Sequence, residues 1–157
     1  MGLPLEVSAR PLSNTNRANQ MSATEQLKPW TLNAYLSAFR DEDGNGFPEG
    51  PKGYKSSFPM SKRITCADGF SLSVQATHGA YCRPRNNFGP WYEVEVGFPS
   101  AKPELIFQFA EKPSDPTETV YGYVPIELVQ NLIDLHGGPN DDARAAIAKA
   151  TGATHDN

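Results

Sequence analysis

The sequence predicts a small α+β domain: an antiparallel sheet with a helix packed on one face and further peripheral helices. Three observations carry that reading. Phe70, Leu72, Val74 and Ala76 alternate with Ser71, Ser73 and Gln75, the period of two that marks a half-buried strand. Tyr92, Val94, Val96 and Phe98 repeat the pattern against Trp91, Glu93, Glu95 and Gly97. A helical stripe of Ile126, Val129, Leu132 and Ile133 then follows Pro125, and such a stripe needs a sheet or a second helix to cover it.

The other elements follow in chain order. Residues 1–24 are rich in Ser, Asn, Thr, Arg and Gln with no apolar period, so this segment is expected to be flexible. One domain is expected over residues 25–150, with its core at about 60–138, followed by a flexible tail over 151–157. Pro29 and Thr31 open the first helix. Leu32, Tyr35, Leu36 and Phe39 fall at i, i+3, i+4 and i+7 within it, and it is expected to run to Arg40. Asp41 to Ser57 reads as a Gly/Pro-rich loop, longer than most internal connections. A short strand is expected around Lys62–Cys66, joined to the next by the Ala67-Asp68-Gly69 turn. Val120–Val124 is expected to form a further strand. Pro125 and Gly137-Gly138-Pro139 bound the main helix. An Ala-rich helix over about Asp141 to Ala150 is capped by Asn140 or Asp141.

Composition narrows the class. The 157 residues are 38% hydrophobic and include 13 glycines and 14 prolines, which fits a modest core with long irregular stretches. Two cysteines, Cys66 and Cys82, are too few for a disulfide scaffold. No apolar run approaches the roughly 20 residues that span a bilayer. The N-terminus lacks the basic-then-apolar plan of a signal peptide, so an intracellular, cytoplasmic location is expected and no membrane partner.

Charge is spread unevenly. Residues 52–85 carry six lysines and arginines against Asp68 alone, whereas residues 86–142 carry ten acids against Lys102 and Lys112. Neighbouring segments of opposite sign either attract within the fold or face outward as patches that steer partners. The net charge of −4 argues against nonspecific nucleic-acid binding.

Two groups have the residue types of a metal site. Asp41, Asp43, Asn45 and Gly46 follow the first helix as positions 1, 3, 5 and 6 of a calcium loop do. Position 12 is nevertheless Lys52, where a bidentate carboxylate should close the shell. The same residues make an ordinary Asx-type turn. Cys66, His78 and Cys82 are the soft-ligand group, but a structural zinc needs a fourth ligand and their spacing matches no paired Cys-x2-Cys knuckle. They support either a small metal- or thiol-dependent enzyme or two buried hydrophobic cysteines. No cofactor and no metal ligand set is assigned, and no catalytic residue is named, because nucleophile elbows and phosphate-binding glycine loops are missing from the sequence.

Tyr81-Cys82-Arg83-Pro84-Arg85-Asn86-Asn87-Phe88-Gly89-Pro90-Trp91-Tyr92 has the most functional character. Arginines interleaved with aromatics are what protein interfaces favour at their hot spots. Arg83, Arg85, Phe88, Trp91 and Tyr92 are therefore the candidate partner-binding residues.

Three runs bear a family likeness: Ile64–Ala76, Glu93–Ser100 and Thr117–Pro125. Together they resemble a family of small uncharacterised phage and prophage proteins, over about residues 60–138. The resemblance implies a compact core with added ends, and brings no catalytic residues with it. It further implies an accessory protein that binds a host or phage protein, with inhibition of a CRISPR-like defence complex among the roles of such proteins. A virion or tail component is the other reading from that class.

Overall fold

A computed structural model describes residues 29–48 and 53–150. The expectations for residues 1–24 and 151–157 lie outside the described residues. The domain is α+β, built on a four-stranded antiparallel sheet in the order β1-β2-β3-β4. Its strands are β1 (Ile64–Thr65), β2 (Ser71–Gln75), β3 (Glu93–Gly97) and β4 (Val120–Pro125), and its helices are α1 (Leu32–Ser37), α2 (Ile126–Leu135) and α3 (Asp141–Ala150).

The strands follow the alternation in the sequence. Leu72 and Val74 of β2 and Val94 and Val96 of β3 are buried, while Ser71, Ser73, Gln75, Glu93 and Glu95 between them are only partly so. β1 is shorter than expected. Cys66 leaves the ladder to form a bridge with Pro139, and the Ala67 amide donates to the Gly138 carbonyl. The turn into β2 works as its residues predict. The Asp68 carboxylate accepts the Phe70 amide at 2.9 Å, and Gly69, at φ +98°, supplies a left-handed conformation that few other residues adopt readily.

α2 puts Val129, Leu132 and Ile133 into the same cluster as the inward residues of the sheet. α1 is shorter than its apolar stripe suggests. Thr31 caps it, its hydroxyl accepting the Ala34 amide at 3.1 Å. The helix ends at Ser37 because Arg40 turns away into a bridge with Gly46. Gln130 ties the two helices together by accepting the Leu32 amide at 3.2 Å. Asn140 caps α3, accepting the Ala143 amide at 3.0 Å.

The 3₁₀ helix Glu104–Phe109 is absent from the sequence reading. Only Ile106 of its six residues is buried, so it shows no period to read. It packs against β4 and α2.

Two predictions follow from this packing. Leu132 is fully enclosed, so Leu132→Ala should lower unfolding stability in urea by about 2–5 kcal/mol; a loss under about 1 kcal/mol would put that face of α2 outside the core. The second concerns acid. The Phe70 amide, and after it His136 at 2.7 Å, hold the Asp68 carboxyl below its ordinary range. A depressed carboxyl stabilises the fold above its unfolded value near pH 4 and loses that contribution as pH falls through the folded value. Asp68→Asn should therefore flatten part of the acid limb when urea midpoints are compared from about pH 6 to about pH 3. Superimposable acid limbs would contradict it.

Candidate functional site

The loop 84–92 leaves and re-enters the fold at one point. Arg83 and Glu93 form an antiparallel bridge, with the Arg83 amide donating to the Glu93 carbonyl at 3.0 Å and the Glu93 amide donating back at 3.2 Å. Both X–Pro bonds of the loop, Arg83–Pro84 and Gly89–Pro90, are cis. Loops of this closed kind hold their shape through their own side chains.

Asn87 is the centre of that support. Its amide nitrogen donates to the Gly44 carbonyl at 2.8 Å and the Ser57 carbonyl at 2.9 Å, and its side-chain oxygen accepts the His78 amide at 2.8 Å. One buried side chain thus joins three segments of irregular chain. Asn86 orders the tip, its side-chain oxygen accepting the Phe88 and Gly89 amides, both at 2.9 Å. Asn33 of α1 grips the far side, accepting the Trp91 amide at 2.7 Å and donating to the Trp91 carbonyl at 3.0 Å.

Beneath the loop lies Arg40, only 8% exposed. Its Nε donates to the Leu36 carbonyl at 3.0 Å, and its Nη1 donates to the carbonyls of Ala76 at 2.9 Å and Asn87 at 3.1 Å. The guanidinium stands 4.7 Å over the Trp91 ring, a placement that favours a cation against an aromatic face. Burial pulls its pKa down to about 10. Its other terminal nitrogen, Nη2, has no hydrogen-bond partner among the described residues.

This corrects one member of the expected binding set. Trp91 is 2% exposed: its ring packs under Arg40 and its Nε1 donates to the Asn86 carbonyl at 3.2 Å. Gly89 shows why the loop closes so tightly there, since a Cβ at that position would lie 2.6 Å from the Trp91 ring. Trp91 holds the loop up and leaves no face for a partner. The other four candidates, Arg83, Arg85, Phe88 and Tyr92, are exposed, Phe88 to 61% and Tyr92 to 58%.

The arginines also meet two tyrosines that the candidate set lacks. Arg83 bonds Glu93 through Nε at 2.9 Å and stands 4.8 Å over the Tyr123 ring. Arg85 stands 5.9 Å over Tyr81, and the Tyr81 and Tyr123 rings are 5.7 Å apart. A bulge makes the arrangement possible. Val94 pairs with Val124 but Val96 pairs with Tyr121, so β4 carries one residue more than β3 across that interval. Tyr121 and Val124 can then both face the core while Gly122 and Tyr123 face outward. Tyr123 adopts φ +52° and its amide donates to the Tyr81 carbonyl at 3.0 Å. A non-glycine residue held at positive φ is strained, and such strain often marks a functional position.

The thiol and metal candidates are dispersed into structural roles. Among the described residues no three His, Cys, Asp or Glu side chains gather as a metal site requires. Cys66 is buried and burial pushes its thiol up to about 11. Cys82 is also buried and raised for the same reason, and its thiol donates to the Thr77 carbonyl at 3.2 Å. The His78 ring packs on Phe58 with centroids 4.3 Å apart, its Nε2 3.0 Å from the Ser57 carbonyl. A raised thiol is a poor nucleophile at neutral pH. Both oxygens of the Asp41 carboxylate are committed: Oδ1 accepts the Asp43 and Asn45 amides and Oδ2 pairs with Lys55 at 2.8 Å.

A larger concavity, about 740 Å³, opens between α1, α3 and the β1 edge. Two of its polar groups serve the fold: the Tyr35 hydroxyl donates to the Lys62 carbonyl and Asn140 caps α3. On the arginine–aromatic face, Arg83 commits only its Nε and Arg85 makes no hydrogen bond among the described residues. No helix among the described residues is long and apolar enough to cross a membrane. Compared with protein-family models, curated proteins and solved structures, the chain matches none.

Proposed function

We propose that this chain is a non-enzymatic, phage-type accessory protein that acts by binding another protein through the outer face of the 81–92 loop. One observation carries the reading. A loop pinned from beneath by Asn87, Arg40 and Trp91 presents Arg83, Arg85, Phe88 and Tyr92 outward. Binding surfaces gain affinity when their contact residues are ordered beforehand, because less conformational entropy is lost on association. Arginine and tyrosine are enriched among the residues that dominate interface energetics. The resemblance to phage and prophage proteins over about residues 60–138 supplies the setting, in which the partner is a host or phage protein and a CRISPR-like defence complex is one class of target.

The test is capture of partners from host lysate on the immobilised protein and on an Arg83→Ala/Arg85→Ala double variant. The Arg83–Glu93 pair is exposed, so its loss should alter stability by no more than about 1 kcal/mol. Retention of the captured protein should fall about tenfold or more with the melting temperature nearly unchanged. Equal retention by the double variant would sink the reading.

A further inference from the structure

Behind the two arginines lies a cleft of about 270 Å³, lined by Tyr81, Phe109, Ala110, Glu111, Gly122 and Tyr123. Ligand pockets for drug-sized molecules run from about 300 to about 1,000 Å³, so this one is suited to a single side chain. Three of those residues, Tyr81, Phe109 and Tyr123, are aromatic. Gly122 keeps it open, since a Cβ there would sit 3.3 Å from Cβ of Tyr81.

Acids and arginines both border it: the Glu95 carboxylate accepts the Tyr81 amide at 2.9 Å, and Glu93 pairs with Arg83. Arg83 stacks on Tyr123 and Arg85 on Tyr81. Arg83 spends only Nε on Glu93, and Arg85 makes no hydrogen bond among the described residues. Their terminal nitrogens are free to form the paired bonds that guanidinium makes with carboxylate. Glu111 also lines the cleft, its amide donating to the Val120 carbonyl at 2.9 Å.

We infer that the cleft receives one aromatic side chain of a partner polypeptide whose adjacent acidic residues pair with Arg83 and Arg85. This rests on the reading of the loop as a protein-binding face and adds the chemistry of what it binds. The aromatic ring replaces water against Tyr81, Phe109 and Tyr123, where offset and edge contacts between rings are favourable. The carboxylates fix its direction.

The experiment is a titration of the isotopically labelled full chain, followed by amide chemical shifts, with the blocked peptide Gly-Asp-Asp-Phe-Gly. Gly-Asp-Asp-Ala-Gly and Gly-Lys-Lys-Phe-Gly are the controls. Saturable shifts confined to Phe109, Ala110, Gly122, Tyr123 and the arginine segment are expected with the first peptide alone. Arg83→Ala/Arg85→Ala should weaken that binding about tenfold. Gly122→Ala should weaken it by narrowing the cleft, and Phe109→Ala provides a second route if Gly122→Ala does not fold. Equal shifts with the lysine peptide, or no saturable shifts with the aspartate peptide, would overturn the inference. Either failure leaves the loop reading standing if lysate capture still depends on Arg83 and Arg85; independence from both arginines would remove that reading itself.

Discussion

Arg40 is an enclosed cation that pairs with no carboxylate among the described residues, and the surroundings of the candidate site are arranged around that constraint. A buried guanidinium is costly unless protein groups replace its water. Here backbone carbonyls of Leu36, Ala76 and Asn87 accept its protons and the Trp91 ring covers its face. Each of these groups belongs to a different piece of chain: the end of α1, the segment after β2, the loop tip and the loop's return. Meeting the demand of one side chain brings all four to one place.

Asn87 extends the same logic. Its carbonyl serves Arg40 while its side chain serves Gly44, Ser57 and His78. Long irregular segments leave many backbone groups without ladder partners, and buried ones must be paired. An asparagine can offer an acceptor and two donors at once, so a single residue closes several such deficits. The loop's outer residues are thereby fixed at little expense of regular structure. On the opposite side, the β4 bulge turns Tyr123 out of the core and onto Tyr81. Loop and sheet then share one surface, where arginines alternate with rings.

The sheet and α2 were legible in the sequence because their apolar residues repeat at fixed intervals: Leu72 with Val74, Val94 with Val96, Val129 with Leu132 and Ile133. The loop was legible in part. Arg83, Arg85, Phe88 and Tyr92 are exposed as their context suggested, but nothing in the residue order distinguishes Trp91, which supports, from Tyr92, which is presented. That distinction comes from Arg40, over fifty positions away in the chain and read only as the end of a helix. Tyr123 was hidden for a different reason. Strict alternation puts it on the face of Tyr121, and a bulge, which reverses that, has no fixed sequence mark when its residues are Tyr-Gly-Tyr. The Glu104–Phe109 helix, which supplies Phe109 to the cleft, buries one residue and so leaves no period. The opposite charges of adjacent segments are partly spent on each other, as in the Arg83–Glu93 pair, while Arg85 and the free ends of Arg83 remain for a partner.

The most direct measurement of whether the loop is pinned from beneath is amide hydrogen exchange in the parent and in Asn87→Ala. The Phe88, Gly89 and Trp91 amides are held by the side chains of Asn86 and Asn33 and not by that of Asn87. If Asn87 organises the loop, their exchange should accelerate by about tenfold or more in the variant, through a local opening, while amides of β2 and β3 keep their protection. Unchanged exchange at those three amides in a folded variant would contradict the account, and so would a uniform acceleration across the whole sheet.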